Sequence, residues 1–393
     1  MLIPAHLSLL LAVAQGAGPQ APDGVLPIPG GPELAVIRAA APEVASIRVA
    51  IPLAEEETEA GAGFLLAAEA DARMRALAGR IGASAEARRT SHAVVYHVAG
   101  AASELDHLAS ILREGMGPPG AVVPEASLRR LRMEHERRVE TPRGVLAARL
   151  RQALAPSAPS VLGTASSLDR MSPSRLLAVW DHTHLRGQAR VVVAGSVPPE
   201  LALLLVNDLG LRDEPAGPAP AGGDDTGSPL PEPEVIRHWV ALGYPIRSGD
   251  EAGALVAARF LGEEEEAGGG DFEVGIEIWE AGGETALVVT GAAYPRSREA
   301  MEARLASMFA EAARTITEED VRRLSDVLRT EVLLAGRTPW GLAELVGQAW
   351  DAGRGTAGTD DFLRTLGGLG AVEIVGLLGA LDRAAPVREE LRP

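Results

Sequence analysis

A segment without apolar periodicity divides the chain into two parts. Residues 213–234, DEPAGPAPAGGDDTGSPLPEPE, consist mainly of proline, glycine and acidic residues, and such a stretch cannot bury enough apolar surface to form a core. The chain of 393 residues is long enough for a domain of ordinary size on each side of it. We therefore predict an N-terminal domain over residues 25–212, a linker over residues 213–234 and a C-terminal domain over residues 235–385.

Apolar periodicity predicts a similar order of elements in both parts. Runs such as SIRVAIPL alternate in the manner of strands, and longer stretches carry the period of helices. In the first part we predict strands over 33–38, 44–53, 90–99 and 190–194, and helices over 58–80, 103–115, 124–140, 143–153 and 172–181. In the second part we predict strands over 236–242, 272–279 and 285–293, and helices over 249–261, 296–313 and 315–334, followed by two more helices. Each half is thus a sheet covered by helices, and the second is a divergent copy of the first.

Two stretches of the second part are predicted to lie outside regular elements. The charge run EEEEAGGGD, residues 263–271, is typical of a solvated loop beside a hairpin. The chain end, GALDRAAPVREELRP, offers no clear strand, so the second sheet lacks a predicted closing strand.

Composition excludes several classes of function. The formal net charge of −17 and an aromatic content of 3% argue against a nucleic-acid partner, which requires clustered cations. The absence of cysteine excludes disulfides, zinc–thiolate sites and thiol catalysis. The glycine-containing stretches GETALVVTGAAYP and AGALVAA lack the G-x-G-x-x-G or G-x-x-x-x-G-K-S form that could hold a phosphate group.

The first twenty residues, MLIPAHLSLLLAVAQGAGPQ, contain a short apolar core from Leu7 to Val13. Small residues at Ala12 and Ala14 fit signal cleavage before Gln15, although a basic leader region is missing. We predict a signal peptide over residues 1–20 and an exported protein, periplasmic or extracellular. The alternative is an ordinary disordered N-terminus. No later segment is long and apolar enough to form a stable membrane span.

Four stretches, in this order, resemble the pitrilysin family of metallopeptidases, which includes the insulinases and the mitochondrial processing peptidase subunits. SIRVAIPLAEEETEAGAGFLLAAEA is similar to the strand, acidic loop and zinc helix of the family. LAGRIGASAEARRTSHAVVYHV resembles the next turn and strand, and RMEHERRVETP resembles the helix that supplies a glutamate ligand. VLGTASSLDRMSPSRLLAVWDHTHLRGQARVVVAGSV resembles the loop, short helix and closing strand that follow.

The resemblance assigns the zinc-site positions, and most of their residues do not fit. The family uses the pattern His-x-x-Glu-His, in which two imidazoles one helical turn apart bind zinc and the glutamate acts as general base. In this sequence Leu66 takes the place of the first histidine, Glu69 that of the base and Ala70 that of the second histidine. Glu134 takes the place of the third ligand. Because two carboxylates alone bind zinc poorly, we expect no catalytic residue, no metal and no cofactor.

Other residues do not rebuild the site. His182 and His184 are expected to form an exposed pair in the loop before the closing strand. His92 and His97 have opposite parity on a strand, and His135 points about 100° away from Glu134 on its helix. Active members of the family use an arginine and a tyrosine from the second half to hold the substrate carbonyl. The region VVTGAAYPRS has a tyrosine, Tyr294, but no arginine at a matching distance before it. The run GEEEEAGGGD resembles, at most, a glycine-rich loop that guides substrate in one non-catalytic subunit.

The resemblance implies an α+β fold with two homologous halves, each a mostly antiparallel sheet with helices packed on one side. In the family such a chain forms half of a clamshell. We therefore expect a non-catalytic subunit that pairs with an active zinc metallopeptidase homologue and helps to form its chamber for peptide substrates. The alternatives are a scaffold subunit of a larger complex, self-association of the chain, and, less favoured, a peptidase with unusual ligands.

Overall fold

The structure, a computed structural model, describes residues 25–28, 31–39, 41, 43–53, 59–121, 125–156, 162–215, 233–268, 271–281 and 284–393. The predicted signal peptide and most of the predicted linker lie outside these residues, and the domain boundaries stay predictions. Within the described part, no single helix is long and apolar enough to cross a membrane. One pair bent by 102°, Gly358–Gly368 and Ala371–Arg383, passes the same test together.

The first sheet has six strands in the order β1-β2-β6-β3-β5-β4. Only the pairing of β2 with β6 is parallel, and the other neighbours are antiparallel. The strands are β1 (Val25–Pro27), β2 (Glu33–Ile37), β3 (Val44–Pro52), β4 (Ser84–Arg89), β5 (Ala93–Ala101) and β6 (Arg190–Gly195).

Seven α-helices accompany this sheet in the described residues of the first half. They are α1 (Ala62–Ala78), α2 (Leu105–Met116), α3 (Glu125–Glu140), α4 (Pro142–Leu154), α5 (Ala165–Asp169), α6 (Pro173–Thr183) and α7 (Pro199–Asn207). Capping side chains fix the first residues of several of these helices. Thr141 and Ser172 each accept a hydrogen bond from a backbone N–H of the first turn, and a proline follows each cap at the first helical position.

The second half repeats the connectivity of the first. Its elements are β7 (His238–Ile246), α8 (Glu251–Gly268), β8 (Phe272–Ala281), β9 (Glu284–Ala293), α9 (Arg298–Thr315), α10 (Glu318–Ala335), α11 (Pro339–Asp351), α12 (Gly358–Gly368), α13 (Ala371–Arg383) and β10 (Val387–Leu391). The order β10-β7-β9-β8 matches β6-β3-β5-β4 strand for strand. The predicted α+β fold with two homologous halves is confirmed.

Each sheet packs its inward side chains on helices of its own half. Ile47, Val49 and Ile51 alternate along β3 and join α1 and α2 in one apolar core. The opposite face of each sheet is covered by a helix from the other half. Helix α11 packs on β2 and β6, and helix α4 packs on β7, β9 and β10. The sequence did not predict this exchange of helices.

Three predictions about the second half are wrong. The charge run after Glu263 is helical, because α8 continues to Gly268. A closing strand is present, since β10 pairs antiparallel with β7 from Val387 to Leu391. Three helices, α11 to α13, follow α10 instead of two. In the first half, β1, β4, α5 and α7 were not predicted.

Candidate functional site

Helix α1 carries the two positions that the resemblance assigns to zinc-binding histidines. It begins after Gly61, whose φ of 95° lies in the left-handed region that glycine adopts without strain. Leu66 is 4% exposed and Ala70 is 1% exposed, and both belong to the apolar core together with Met74. The side chains at these positions are therefore packing residues, and they offer no atom that could bind a metal ion.

Glu69, at the position of the general base, is held by the turn that follows α2. Its Oε1 accepts a hydrogen bond of 2.7 Å from the backbone N–H of Gly120 and lies 3.5 Å from Nη1 of Arg73. The same Arg73 donates to the carbonyl oxygens of Gly115, Gly117 and Pro118 at 3.0–3.2 Å. Glu69 and Arg73 thus form a clamp that fixes the turn after α2 against α1.

Glu134, at the position of the third ligand, is paired with two cations of its own helix. It lies 3.3 Å from Arg137 and 3.1 Å from Arg138. Helix α3 packs beside α1, where the guanidinium of Arg130 stands 5.6 Å from the ring centroid of Phe64.

The structure therefore brings the four predicted positions onto two neighbouring helices without forming a metal site. Among the described residues, no group of three or more His, Asp or Glu side chains is arranged to hold a metal ion. Two apolar side chains and two carboxylates engaged by arginines do not fit the zinc that the fold family implies. No catalytic step through zinc follows from these residues.

The prediction of an exposed histidine pair at residues 182–184 is wrong. His182 belongs to the last turn of α6, and His184 follows as its buried C-cap, 1% exposed. Nε2 of His184 lies 2.6 Å from the Tyr96 hydroxyl, and Nδ1 lies 3.0 Å from Oγ1 of Thr183. Burial lowers the pKa of His184 to about 3 and raises the pKa of Tyr96. Both groups are neutral, and the pair is part of the core.

A second polar cluster joins the two halves on the outer face of the first sheet. Arg48 of β3 is fully buried and donates to Glu344 at 3.3 Å and to Asp351 at 2.5 Å, both on α11. Arg88 of β4 also pairs with Glu344, and Arg190 of β6 lies 4.0 Å from Asp351. Three strands of the sheet therefore send a cation to one helix of the other half.

His97 of β5 completes this cluster. Its ring stacks on Trp340 with 3.6 Å between centroids, and its Nε2 lies 2.7 Å from Oγ of Ser46. Burial lowers the pKa of His97. Burial alone would raise the pKa of Glu344, but its contact with His97 and the charges of Arg48 and Arg88 hold that pKa below its usual range.

Sequence reasoning missed this cluster, although one signal was present. Arg48 stands in the middle of SIRVAIPL, a strand whose other residues suit burial. A lone charge there predicts a buried partner. The partners, 296 and 303 residues later in the chain, could not be named from the sequence.

Many solved structures, including the three that follow, share this architecture, whereas no protein-family model and no curated protein matches the sequence. The peptidase M16 inactive domain from Pseudomonas fluorescens aligns with a TM-score of 0.75 at 14% identity, over 94% of this chain and 98% of that one. A protease from Helicobacter pylori aligns with a TM-score of 0.77 at 14% identity, over 95% and 100%. The fold is that of the pitrilysin, or M16, peptidases.

The third structure differs from this chain in length. The periplasmic protease PqqL from Escherichia coli aligns with a TM-score of 0.72 at 11% identity, over 100% of this chain. This chain spans 48% of PqqL. The resemblance to the pitrilysin fold that the sequence motifs indicated is confirmed, and one chain of that fold corresponds to about half of a longer pitrilysin-type protease.

Proposed function

We propose that this protein is a non-catalytic pitrilysin-type subunit that pairs with an active zinc metallopeptidase homologue and forms part of its substrate chamber. The observation that carries the proposal is the burial of Leu66 and Ala70 in the apolar core, at the positions of the zinc-binding histidines. The P. fluorescens structure, described as an inactive domain, is a precedent for an inactive chain with this fold.

Length supports the pairing. This chain aligns with 48% of PqqL, so the longer protease contains a second region of similar size in the same chain. In the proposed pairing, the partner chain supplies the equivalent of that region. Because PqqL is periplasmic, we also propose that this protein is exported, in agreement with the predicted signal peptide.

The side chains of α1 and α3 are consistent with a structural role in the chamber wall and not with catalysis. A general base needs a free carboxylate within reach of the water that it deprotonates. Oε1 of Glu69 instead accepts from Gly120 and faces Arg73, and its Oε2 is buried. Glu134 is paired with Arg137 and Arg138. These carboxylates hold helices and turns in place, and hydrolysis is left to the partner.

The test measures the peptidase rate of a catalytic pitrilysin homologue from the same source while increasing amounts of this chain are added. We expect the chain alone to bind no stoichiometric zinc and to cleave no peptide, and we expect the rate of the homologue to rise and saturate at one chain per partner. A rate unaltered over a wide concentration range would reject the subunit proposal in favour of a scaffold.

The matched variant is Leu66→His combined with Ala70→His, which restores both imidazoles on one helical face. We expect weak zinc binding without useful turnover, because Glu69 and Glu134 remain engaged by arginines, and unchanged activation of the partner. About one zinc per wild-type chain in metal analysis would contradict the assignment of α1 as a vacant site.

A further inference from the structure

We propose that the exposed face of α3 binds acidic peptides and that these peptides are the substrate class which this subunit recruits. The assignment of these peptides as the recruited substrate class rests on the proposed function. The α3 face consists of Arg129, Arg130, Met133 and Arg137, on the helix that also carries Glu134. It lies beside α1, the helix that carries the positions which the resemblance assigns to zinc-binding histidines.

The charge of this region is opposite to that of the chain. The formal net charge is −17, yet α3 contains five arginines and four glutamates. The sequence has no lysine, so every cation is a guanidinium. Guanidinium groups stay charged and bind carboxylates through two parallel hydrogen bonds. A local cationic surface on an acidic protein attracts acidic ligands and is not explained by solubility.

The spacing places the cations around an exposed apolar side chain. Arg129, Met133 and Arg137 follow one another at intervals of four residues and therefore share one side of the helix. Met133 is 61% exposed, and the Arg137 side chain is 76% exposed. Arg129 and Arg137 are therefore about 12 Å apart along the helix axis, at about 1.5 Å per residue.

These cations are not fully neutralised within the protein. Neither Arg129 nor Arg130 has a carboxylate partner among the described residues, and Arg137 shares Glu134 with Arg138. Arg130 is held in place by the Phe64 ring. Glu125 lies in the first turn of the helix, and Glu136 and Glu140 lie toward its C-terminal end, so the cations of the α3 face stand between these acids.

A peptide fits this face better than a nucleic acid does. A phosphate backbone needs a long cationic track, whereas glutamates at 134, 136 and 140 interrupt the arginines of α3. About four residues of an extended peptide, at roughly 3.3 Å each, cover the distance from Arg129 to Arg137. A peptide with carboxylates on both sides of an apolar residue therefore matches the cations and Met133 together.

The test is fluorescence anisotropy with the whole chain and a labelled peptide of sequence Asp-Glu-Leu-Glu-Glu, compared with its amide counterpart Asn-Gln-Leu-Gln-Gln. We expect the acidic peptide to bind and the neutral one to bind at least about tenfold more weakly, as loss of charge-assisted hydrogen bonds implies. Arg129→Gln combined with Arg137→Gln should weaken binding of the acidic peptide by a similar factor.

The matched control is Arg314→Gln combined with Arg322→Gln, which removes two exposed arginines of the second half. It should leave peptide binding within about twofold of the wild type, because both sites lie outside the α3 face. Equal weakening by both double variants, tighter binding of a single-stranded oligonucleotide of equal charge, or no preference of the wild type for the acidic peptide would overturn the inference.

The wild-type comparison decides the matter even if a variant unfolds. Because these measurements use the chain alone, they are independent of partner activation. If the chain binds the acidic peptide but does not activate the partner, the peptide site is supported and the subunit role is rejected. If the chain activates the partner but does not bind the peptide, the subunit role is supported and the peptide site is rejected.

Discussion

Arg48 shows what a single residue contributes to the joining of the two halves. Its guanidinium is buried between β3 and α11, where it meets Glu344 and Asp351. Removing one partner of a buried ion pair typically costs about 3–5 kcal/mol, because the other charge stays desolvated. Gly347 lies between the two acids on the same face of α11, and its lack of a side chain leaves the space that the guanidinium occupies.

We predict that Gly347→Ala destabilises the protein. A Cβ at this position would stand 2.3 Å from Nη1 of Arg48, so the ion pairs with α11 would have to shift, at a cost of about 1–3 kcal/mol for overpacking. The matched control is Gly376→Ala, in the exposed interior of α13, where a Cβ meets no atom within 4 Å. That change should stabilise the protein by about 0.5–1 kcal/mol. Urea unfolding measures both, and equal effects would contradict the role of Gly347.

We predict that His184 makes stability depend on pH. Its ordinary pKa of 6.5 falls to about 3 in the folded protein through burial. The folded state therefore disfavours the proton, and the stability that neutral His184 contributes is complete above pH 6.5 and lost as the pH falls toward 3. The free energy of unfolding should decline by up to about 1.4 kcal/mol per pH unit in this window from this group.

His184→Gln removes the titrating group while it keeps polar atoms near Tyr96. The variant should be less stable than the wild type at pH 7 and should lose less stability between pH 6.5 and 4. His107→Gln is the control, since that side chain is 67% exposed, and its pH curve should follow the wild type. Thermal unfolding at several pH values measures all three. Parallel curves for the wild type and His184→Gln would contradict the prediction.

At the scale of elements, the sequence predicts those with a clear period and misses those without one. Helix α1 and strands β3 and β9 were found because apolar residues recur at the spacing of their element. Strand β4, SAEARR, is an edge strand with few apolar residues, so nothing in its composition marks it. Strand β10, VREEL, is stabilised by its pairing with β7, which only the folded chain reveals.

The candidate site follows the same division. The resemblance of four stretches placed Leu66, Glu69 and Ala70 on one predicted helix and Glu134 on another, and these helices are present as α1 and α3. The contacts that hold Glu69 were not predictable. Gly120 contacts Glu69, and the carbonyl groups of Gly115 and Gly117 contact Arg73, through the tertiary fold, 42 to 51 residues away along the chain.

At the scale of the whole molecule, the two halves exchange helices with opposite charge polarity. Helix α11 brings acids, Glu344 and Asp351, to cations on the first sheet. Helix α4 brings cations to the second sheet, where Arg143 pairs with Glu277 and Arg151 stands 4.5 Å from the ring centroid of Trp279. If α4 took the place of α11 on the first sheet, arginines would face arginines. Charge therefore distinguishes two surfaces that share one topology.

This exchange predicts that the halves depend on each other for folding. Without α11, the apolar face formed by Ala35, Ile37, Val192 and Ala194 would be open to water, and without α4 the second sheet would expose Ala241, Ala286 and Val288. We expect residues 25–215 and 233–393, expressed separately, to aggregate, and the same two chains, co-expressed, to form a soluble 1:1 complex.

Charge reversal supplies the matched control for this experiment. Glu344→Arg on the C-terminal chain should prevent recovery of the complex, because it would place a third guanidinium beside Arg48 and Arg88. Glu373→Arg, on α13 outside the contact with the first sheet, should leave recovery unchanged. Size-exclusion chromatography and co-purification through a tag on one chain measure the outcome. Two halves that are each folded and monomeric alone would show that the exchanged helices are not needed for stability, and that charge polarity then sets only the orientation of the halves.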